Sequence, residues 1–269
     1  MNYLRFIFLF LFAFQVQAQE LFVVTEPASN MPTGSVGIRL GQSFMKENFR
    51  SGYGYQVSPE IMWGVNRNLM VHAAAYLSNS SNQFTAEGGS LYAKYRFFSV
   101  DDIQSHFRMA VFGRYSRNNS IIRQEEIETM GNNSGYETGL IFTQLIKKTA
   151  ISSTISFEKA LDNKPDYNFP LFQSSNAINY SLSFGRLMYP KKYTSFKQTN
   201  VNAMVEFVGQ TLSDNGRSFL DVVPSIQFII NSQARVDVAY KKELYSSMLR
   251  SDPNGFYLKL EYTFFNVSQ

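Results

Sequence analysis

The chain of 269 residues contains no cysteine, so neither disulfide staples nor thiol chemistry is available to it. It has only two histidines, His72 and His106, and one tryptophan. Two isolated histidines form no metal-ligand cluster, so no metal and no cofactor is expected. Gly-x-Ser-x-Gly, His-Glu-x-x-His and phosphate-loop motifs are all missing. Beyond the first residues there is no long apolar run, which excludes a transmembrane helix. Charged residues make up only 17%, and the net charge of +4 is dispersed along the chain. That is too weak a field to imply nucleic acid as a partner. What the chain has in quantity is aromatic: 25 Phe and 16 Tyr. Sheets and membrane-interface belts use such residues.

The opening "MNYLRFIFLFLFAFQVQA" has one cation, Arg5, then an apolar run from Phe6 to Phe14. Val16 and Ala18 stand where small residues precede a cleavage site. Residues 1–18 therefore read as a signal peptide cut before Gln19, since the run falls well short of the ~20 residues of a span. Residues 19–33 are expected to be a periplasmic N-terminal segment and 34–269 a single barrel domain.

Period-2 alternation dominates the rest. Twelve strands are expected, at 34–45, 53–65, 69–77, 88–98, 106–116, 135–145, 149–158, 176–187, 200–211, 219–231, 234–245 and 255–266. Most are about twice the ordinary strand length of ~5–6 residues and match the ~9–11 that a tilted strand needs to cross a bilayer. Connections 66–68, 146–148 and 232–233 are tight, whereas 78–87, 117–134, 159–175 and 246–254 are long and polar. Residues 99–105 and 189–199 fit the short side less well. The basic, aromatic stretch 189–199 suits the inner membrane surface at the barrel rim. This asymmetry is that of an outer-membrane barrel with short periplasmic turns. The fold class is thus all-β: a transmembrane antiparallel up-and-down β-barrel of about twelve strands. A periplasmic sandwich or lipocalin-like barrel is the rival, but twelve strands enclose too wide a space for ordinary apolar packing.

The faces divide by charge. In 255–266, Phe256, Leu258, Leu260, Tyr262 and Phe264 oppose Lys259, Glu261 and Thr263. In 200–211, Val201, Ala203, Val205 and Phe207 oppose Asn202, Met204, Glu206 and Gln210. Charge on a lipid face costs ~2–4 kcal/mol near the midplane for Arg or Lys, so the polar sets face inward. The lumen-facing candidates are Arg39, Glu60, Lys94, Arg96, Arg108, Arg114, Glu137, Glu158, Asn202, Glu206, Asp221, Gln227, Asp237, Lys259 and Glu261, with Arg235 and Lys241 beside them. Either these charges pair across strands, or a basic wall on the fourth and fifth strands faces an acidic one and sets up a transverse field. Glu206 is expected to pair with a basic residue on a neighbouring wall. The acidic stretch "RQEEIETM" (123–130) reads as a solvated extracellular loop.

Residues 187–231 carry a resemblance. Gln198, Thr199, Asn200, Asn202, Glu206, Gly209, Gln210, Pro224 and Gln227 are similar to positions of the outer-membrane family of the MetA-pathway of phenol degradation. "SPEIMWGVNRNLMVHAAAYL" (58–77) resembles its early hairpin, and 25–40 resembles envelope proteins of Bacteroidetes-like bacteria more loosely. The match covers about a third of the chain. It implies a barrel that transports small compounds, hydrophobic or aromatic ones among them. The expected function is an outer-membrane channel or passive transporter. Two alternatives stay open: a closed-lumen structural or adhesion barrel acting through its loops, and an outer-membrane enzyme, the latter lacking any spacing that singles out a triad. The expected location is the Gram-negative outer membrane. The expected partners are its lipid, the barrel-assembly machinery and an unidentified small solute. The C-terminal strand, rich in aromatics, is the expected assembly signal.

Overall fold

A computed structural model describes residues 22–48, 52–80, 83–163, 169–170, 172–191 and 197–267. The signal-peptide assignment falls on residues 1–18 and lies outside them, as does 192–196 of the basic rim stretch.

The twelve strands are β1 (Val36–Lys46), β2 (Tyr53–Gly64), β3 (Leu69–Ser78), β4 (Thr85–Asp101), β5 (Ser105–Asn118), β6 (Ser134–Ile146), β7 (Thr149–Leu161), β8 (Asn176–Tyr189), β9 (Asn200–Leu212), β10 (Ser218–Ile230), β11 (Ala234–Ser246) and β12 (Asn254–Phe264). Each pairs antiparallel with its sequence neighbours, and β1 closes the barrel on β12 from Val36↔Phe264 to Lys46↔Asn254. Closure removes every free sheet edge. Charge fixes the register of the seam. Arg39 stands directly opposite Glu60 on one side and Glu261 on the other, and Glu261 stands opposite Arg235. A one-residue slip would turn these groups outward.

The surface is inverted relative to a soluble protein. Ile61, Leu91, Ile155 and Phe256 are more than half exposed on the outer wall, while Lys94, Glu206, Gln227 and Asp237 are fully buried inside. An apolar exterior around a polar interior is what a lipid solvent requires, and it rules out the sandwich and lipocalin-like alternatives.

Strand boundaries shift where alternation breaks. At the bulge between Arg96 and Phe98, Phe97 and Phe98 both face outward, so β4 continues to Asp101 beyond its expected end. An extra residue in one strand flips parity, which a period-2 reading takes for a strand end. Pro224 sits mid-strand in β10. It is in register with Val205 of β9, but the β11 ladder skips Val223 and Pro224. A residue without an N–H cannot donate to that side. The tight turn between β10 and β11 places Asn231 and Ser232 at φ 53° and 57°, the signature of a type I′ hairpin.

The barrel is not hollow, and two expectations are corrected here. Residues from Phe22 onward do not lie in the periplasm but run inside the lumen: Phe22, Val23 and Ala28 are buried against the wall. The loop 119–133 is not a solvated extracellular loop, because Gln124, Glu126, Ile127 and Thr129 are buried. A twelve-strand wall leaves more space than its own side chains fill, and these two inserts occupy it from opposite ends.

Candidate functional site

The N-terminal insert enters beside the β1 start. Gly64 makes room for it: a Cβ there would lie 2.3 Å from the Pro32 carbonyl oxygen. Its apolar end is Phe22 and Val23, packed on Leu145, Ala150, Met204, Val223 and Ala239. Further along, Ala28 packs on Tyr92, Ala110, Phe112 and Ile141. The insert is not part of the sheet, so its backbone groups need partners from the wall. Glu206 supplies three of them. Its Oε1 accepts from Val23 N–H at 2.8 Å and Val24 N–H at 3.1 Å, and its Oε2 from Thr25 N–H and Thr25 Oγ1, each at 2.8 Å. Thr143 Oγ1 accepts from Ala28 N–H at 2.8 Å. Lys94 donates to the Pro27 and Ser29 carbonyls at 2.6 and 2.8 Å, and Lys259 to that of Val23. The expectation for Glu206 is therefore corrected. Its carboxylate binds backbone N–H groups of the insert rather than a cation on a neighbouring wall.

The insert carries its own acid, Glu26, which meets Arg39 at 3.1 Å and Lys94 at 3.6 Å. Burial opposes its ionisation, but Arg39 and Lys94, with His72 and Lys259, outweigh that and hold it well below the usual carboxylate range.

The second insert, 119–133, is held from the opposite end. Gln210 pairs with the backbone of Ile127, accepting its N–H at 2.9 Å and donating to its carbonyl at 2.8 Å. Glu158 accepts the Thr129 N–H at 2.8 Å. Arg250, from the β11–β12 loop, is the hub. It is 1% exposed, makes two-point contacts with Glu126 (3.0 and 2.9 Å) and Asp221 (2.6 and 2.7 Å), and reaches Glu243 at 3.1 Å. Its guanidinium carbon also lies 3.6 Å from the centre of the Phe219 ring. Planar, two-pronged pairing is what arginine offers and lysine does not. Burial works against both charges, yet each holds the other ionised: Arg250 is raised and Glu126 lowered. Glu128 is pushed up by burial and by Glu126.

The other predicted residues fall as follows. Arg39 contacts Glu60 at 3.0 Å and Glu261 at 2.8 Å, and Glu261 also takes Arg235 at 2.8 Å. Asp237 lies 3.0 Å from Arg235. Arg114 reaches Glu137 at 3.5 Å, and Arg108 reaches Asp101 and Ser29. Arg96 donates to the Arg67 carbonyl near the turn end. Asn202 donates to Gln227 at 2.8 Å, and Lys241 is buried beside the second insert. The charges therefore pair across strands and with the inserts: Lys94, Arg108 and Arg114 of β4 and β5 find carboxylates rather than facing a bare acidic wall, while Arg96 meets a backbone carbonyl. Sequence reasoning missed Arg250, Glu126 and Glu26, which sit outside the alternating strands. It also missed that Glu206 and Gln210, four apart on the inner face of β9, anchor the two inserts from one strand.

Between the inserts remains a cavity of about 270 Å³. Glu26, Arg39, Glu60, Arg114 and Glu137 give it charge, and Tyr76, Tyr92, Phe112, Ile141 and Tyr257 give it apolar surface.

Among solved structures, the chain is similar to an outer membrane channel from Pseudomonas putida F1, at 12% identity and a TM-score of 0.55, covering 90% of this chain and 99% of that one. It also matches the KdgM porin (10% identity, TM-score 0.48, 86% and 99% covered) and the NanC porin (7%, 0.49, 85% and 98%), both too distant to bear on the reading. No protein-family model matches the sequence, and no curated protein does. The class is thus defined by fold: a closed twelve-stranded antiparallel barrel of the kind found in outer-membrane channels. Within that class, this one carries an insert at each end and a small amphipathic cavity between them.

Proposed function

We propose that the protein is a passive outer-membrane transporter for small solutes, hydrophobic or aromatic ones included, whose lumen rests closed between two inserts. The observation that carries this is the manner of closure. The N-terminal insert is held by hydrogen bonds to wall side chains over a modest apolar contact, so it can leave as a unit while the barrel stays intact. A lumen meant only for rigidity would be filled by wall side chains and leave no cavity. The apolar exterior supports a lipid surround, and the barrel fold supports an outer-membrane location, which this reading takes to be that of a Gram-negative envelope. The turn end, which also carries both chain ends of the barrel, then faces the periplasm. Export by a signal peptide at 1–18 and insertion by the barrel-assembly machinery belong to the same reading. So does membership of the phenol-degradation family, which rests on the motif residues of β9 and β10.

The adhesion alternative is weakened by the loop 119–133, which turns inward. The enzyme alternative gains no support at His72: the ring is oriented by Glu60 at 2.7 Å, but among the described residues no hydroxyl is hydrogen-bonded to its other nitrogen. Recording from planar bilayers tests the proposal. Rare, brief openings of the wild type are expected, made frequent by variants that loosen an insert. A barrel that stays silent in every such variant contradicts it.

A further inference from the structure

Among the described residues, four buried polar side-chain groups of the cavity wall lack partners, on His72, Tyr92, Thr129 and Ser181, and the first two are neighbours. His72 and Tyr92 are each 5% exposed, and their rings lie 4.9 Å apart. His72 Nδ1 is 2.7 Å from Glu60 Oε1, and the other oxygen of that carboxylate takes Arg39 at 3.0 Å. A carboxylate paired with arginine accepts and does not donate, so Nδ1 carries the proton of that bond and Nε2 is the ring nitrogen left over. That Nε2 and the Tyr92 hydroxyl have no hydrogen-bond partner among the described residues. Folded proteins rarely leave such groups unmatched, and where they do, a functional reason is the first to seek. A hydroxyl both donates and accepts, so a single one placed between the two rings satisfies both groups.

The rest of the cavity decides what carries that hydroxyl. Beside this pair the cations Arg39 and Arg114 already face carboxylates, so neither is free to hold an anionic ligand there. The Phe112 ring lies beyond Tyr92, tilted against it at 5.5 Å, and adds apolar surface to the cavity. The volume of about 270 Å³ exceeds the ~150 Å³ of a dry cavity that takes up benzene, so a ring-sized body fits.

We infer that the cavity is a binding site for a small neutral molecule carrying a hydroxyl, selected by His72 Nε2 and the Tyr92 hydroxyl. This deepens the transport reading and rests on it for its biological sense, but binding is measurable without flux. The probes are cyclohexanol and methylcyclohexane, titrated calorimetrically into the full-length protein in detergent with empty micelles as blank. Cyclohexanol is expected to bind about ten-fold more tightly or better. His72→Phe and Tyr92→Phe are each expected to weaken it about three- to ten-fold and to leave methylcyclohexane unchanged or tighter. Equal affinity of the wild type for both probes overturns the inference whatever the variants do. So does cyclohexanol affinity that is unchanged in both variants. Selective binding without any conductance would instead count against the transport reading alone.

Discussion

Replacing Glu206 by glutamine tests how the N-terminal insert is held. The carboxylate accepts from four donors: the N–H groups of Val23, Val24 and Thr25, and the Thr25 hydroxyl. Glutamine has nearly the same shape but only one acceptor oxygen. Whichever way the amide turns, its NH₂ faces at least one backbone N–H. One charge-assisted bond is lost and a donor is set against a donor. Bonds to a charged group are worth about 1.5–3 kcal/mol, so the docked insert should be destabilised by about 2–3 kcal/mol, or about 30–150-fold in its docking equilibrium. The barrel wall itself is untouched, because the β9 ladder does not use the side chain. Two readouts follow on one preparation. Channel openings should become markedly more frequent, and the segment around Val24 should be cut faster by added protease. Heat-modifiable migration on gels confirms that the barrel is intact. Conductance and cleavage equal to wild type in a folded Glu206→Gln barrel would refute this account of the anchor.

Three further outcomes are expected. Arg250→Ala leaves Glu126 and Asp221 buried without their cation, a loss of about 3–5 kcal/mol, and should release loop 119–133 to protease, with Arg250→Lys intermediate. Asp252 is raised to about 7, by burial first and then by Glu128, Glu126 and Glu47 against Lys241. A carboxyl raised on folding favours the docked state fully below its ordinary pKa and loses that contribution as pH rises towards about 7. Protection of the two loops should therefore be greater at pH 5 than at pH 8, and Asp252→Asn should flatten the dependence. Gly64→Ala sets a Cβ against the Pro32 carbonyl, so it should displace the insert and raise basal conductance more than the same change at Gly113, where the nearest atom is 4.0 Å away.

The strands were legible because a lipid-facing wall repeats one rule, apolar out and polar in, and each of the twelve runs for ten residues or more. Where the rule bends, as at Phe97 and Phe98, the boundary was misread, since a bulge changes parity without changing composition. The inserts were not legible for a different reason. Residues 22–33 and 119–133 have no period, and their polar composition resembles that of any exposed segment. Their burial depends on which wall groups stand opposite, and that follows from the register of strands far apart in sequence. Glu206 shows both sides of this. Its inward direction followed from alternation with Val205 and Phe207. Its partner, a backbone more than 180 residues away, did not.

Because the chain has no cysteine, a single introduced pair reports on the insert without interference. Ala28→Cys with Thr143→Cys joins the insert to β6 at a point where the two already share a hydrogen bond. Single-channel conductance of this double variant, recorded oxidised and then after reduction, tests most directly whether the N-terminal segment must move for the barrel to open. The oxidised protein should be silent and the reduced protein should open as the wild type does. Openings of the same frequency and size with the cross-link intact would contradict the account.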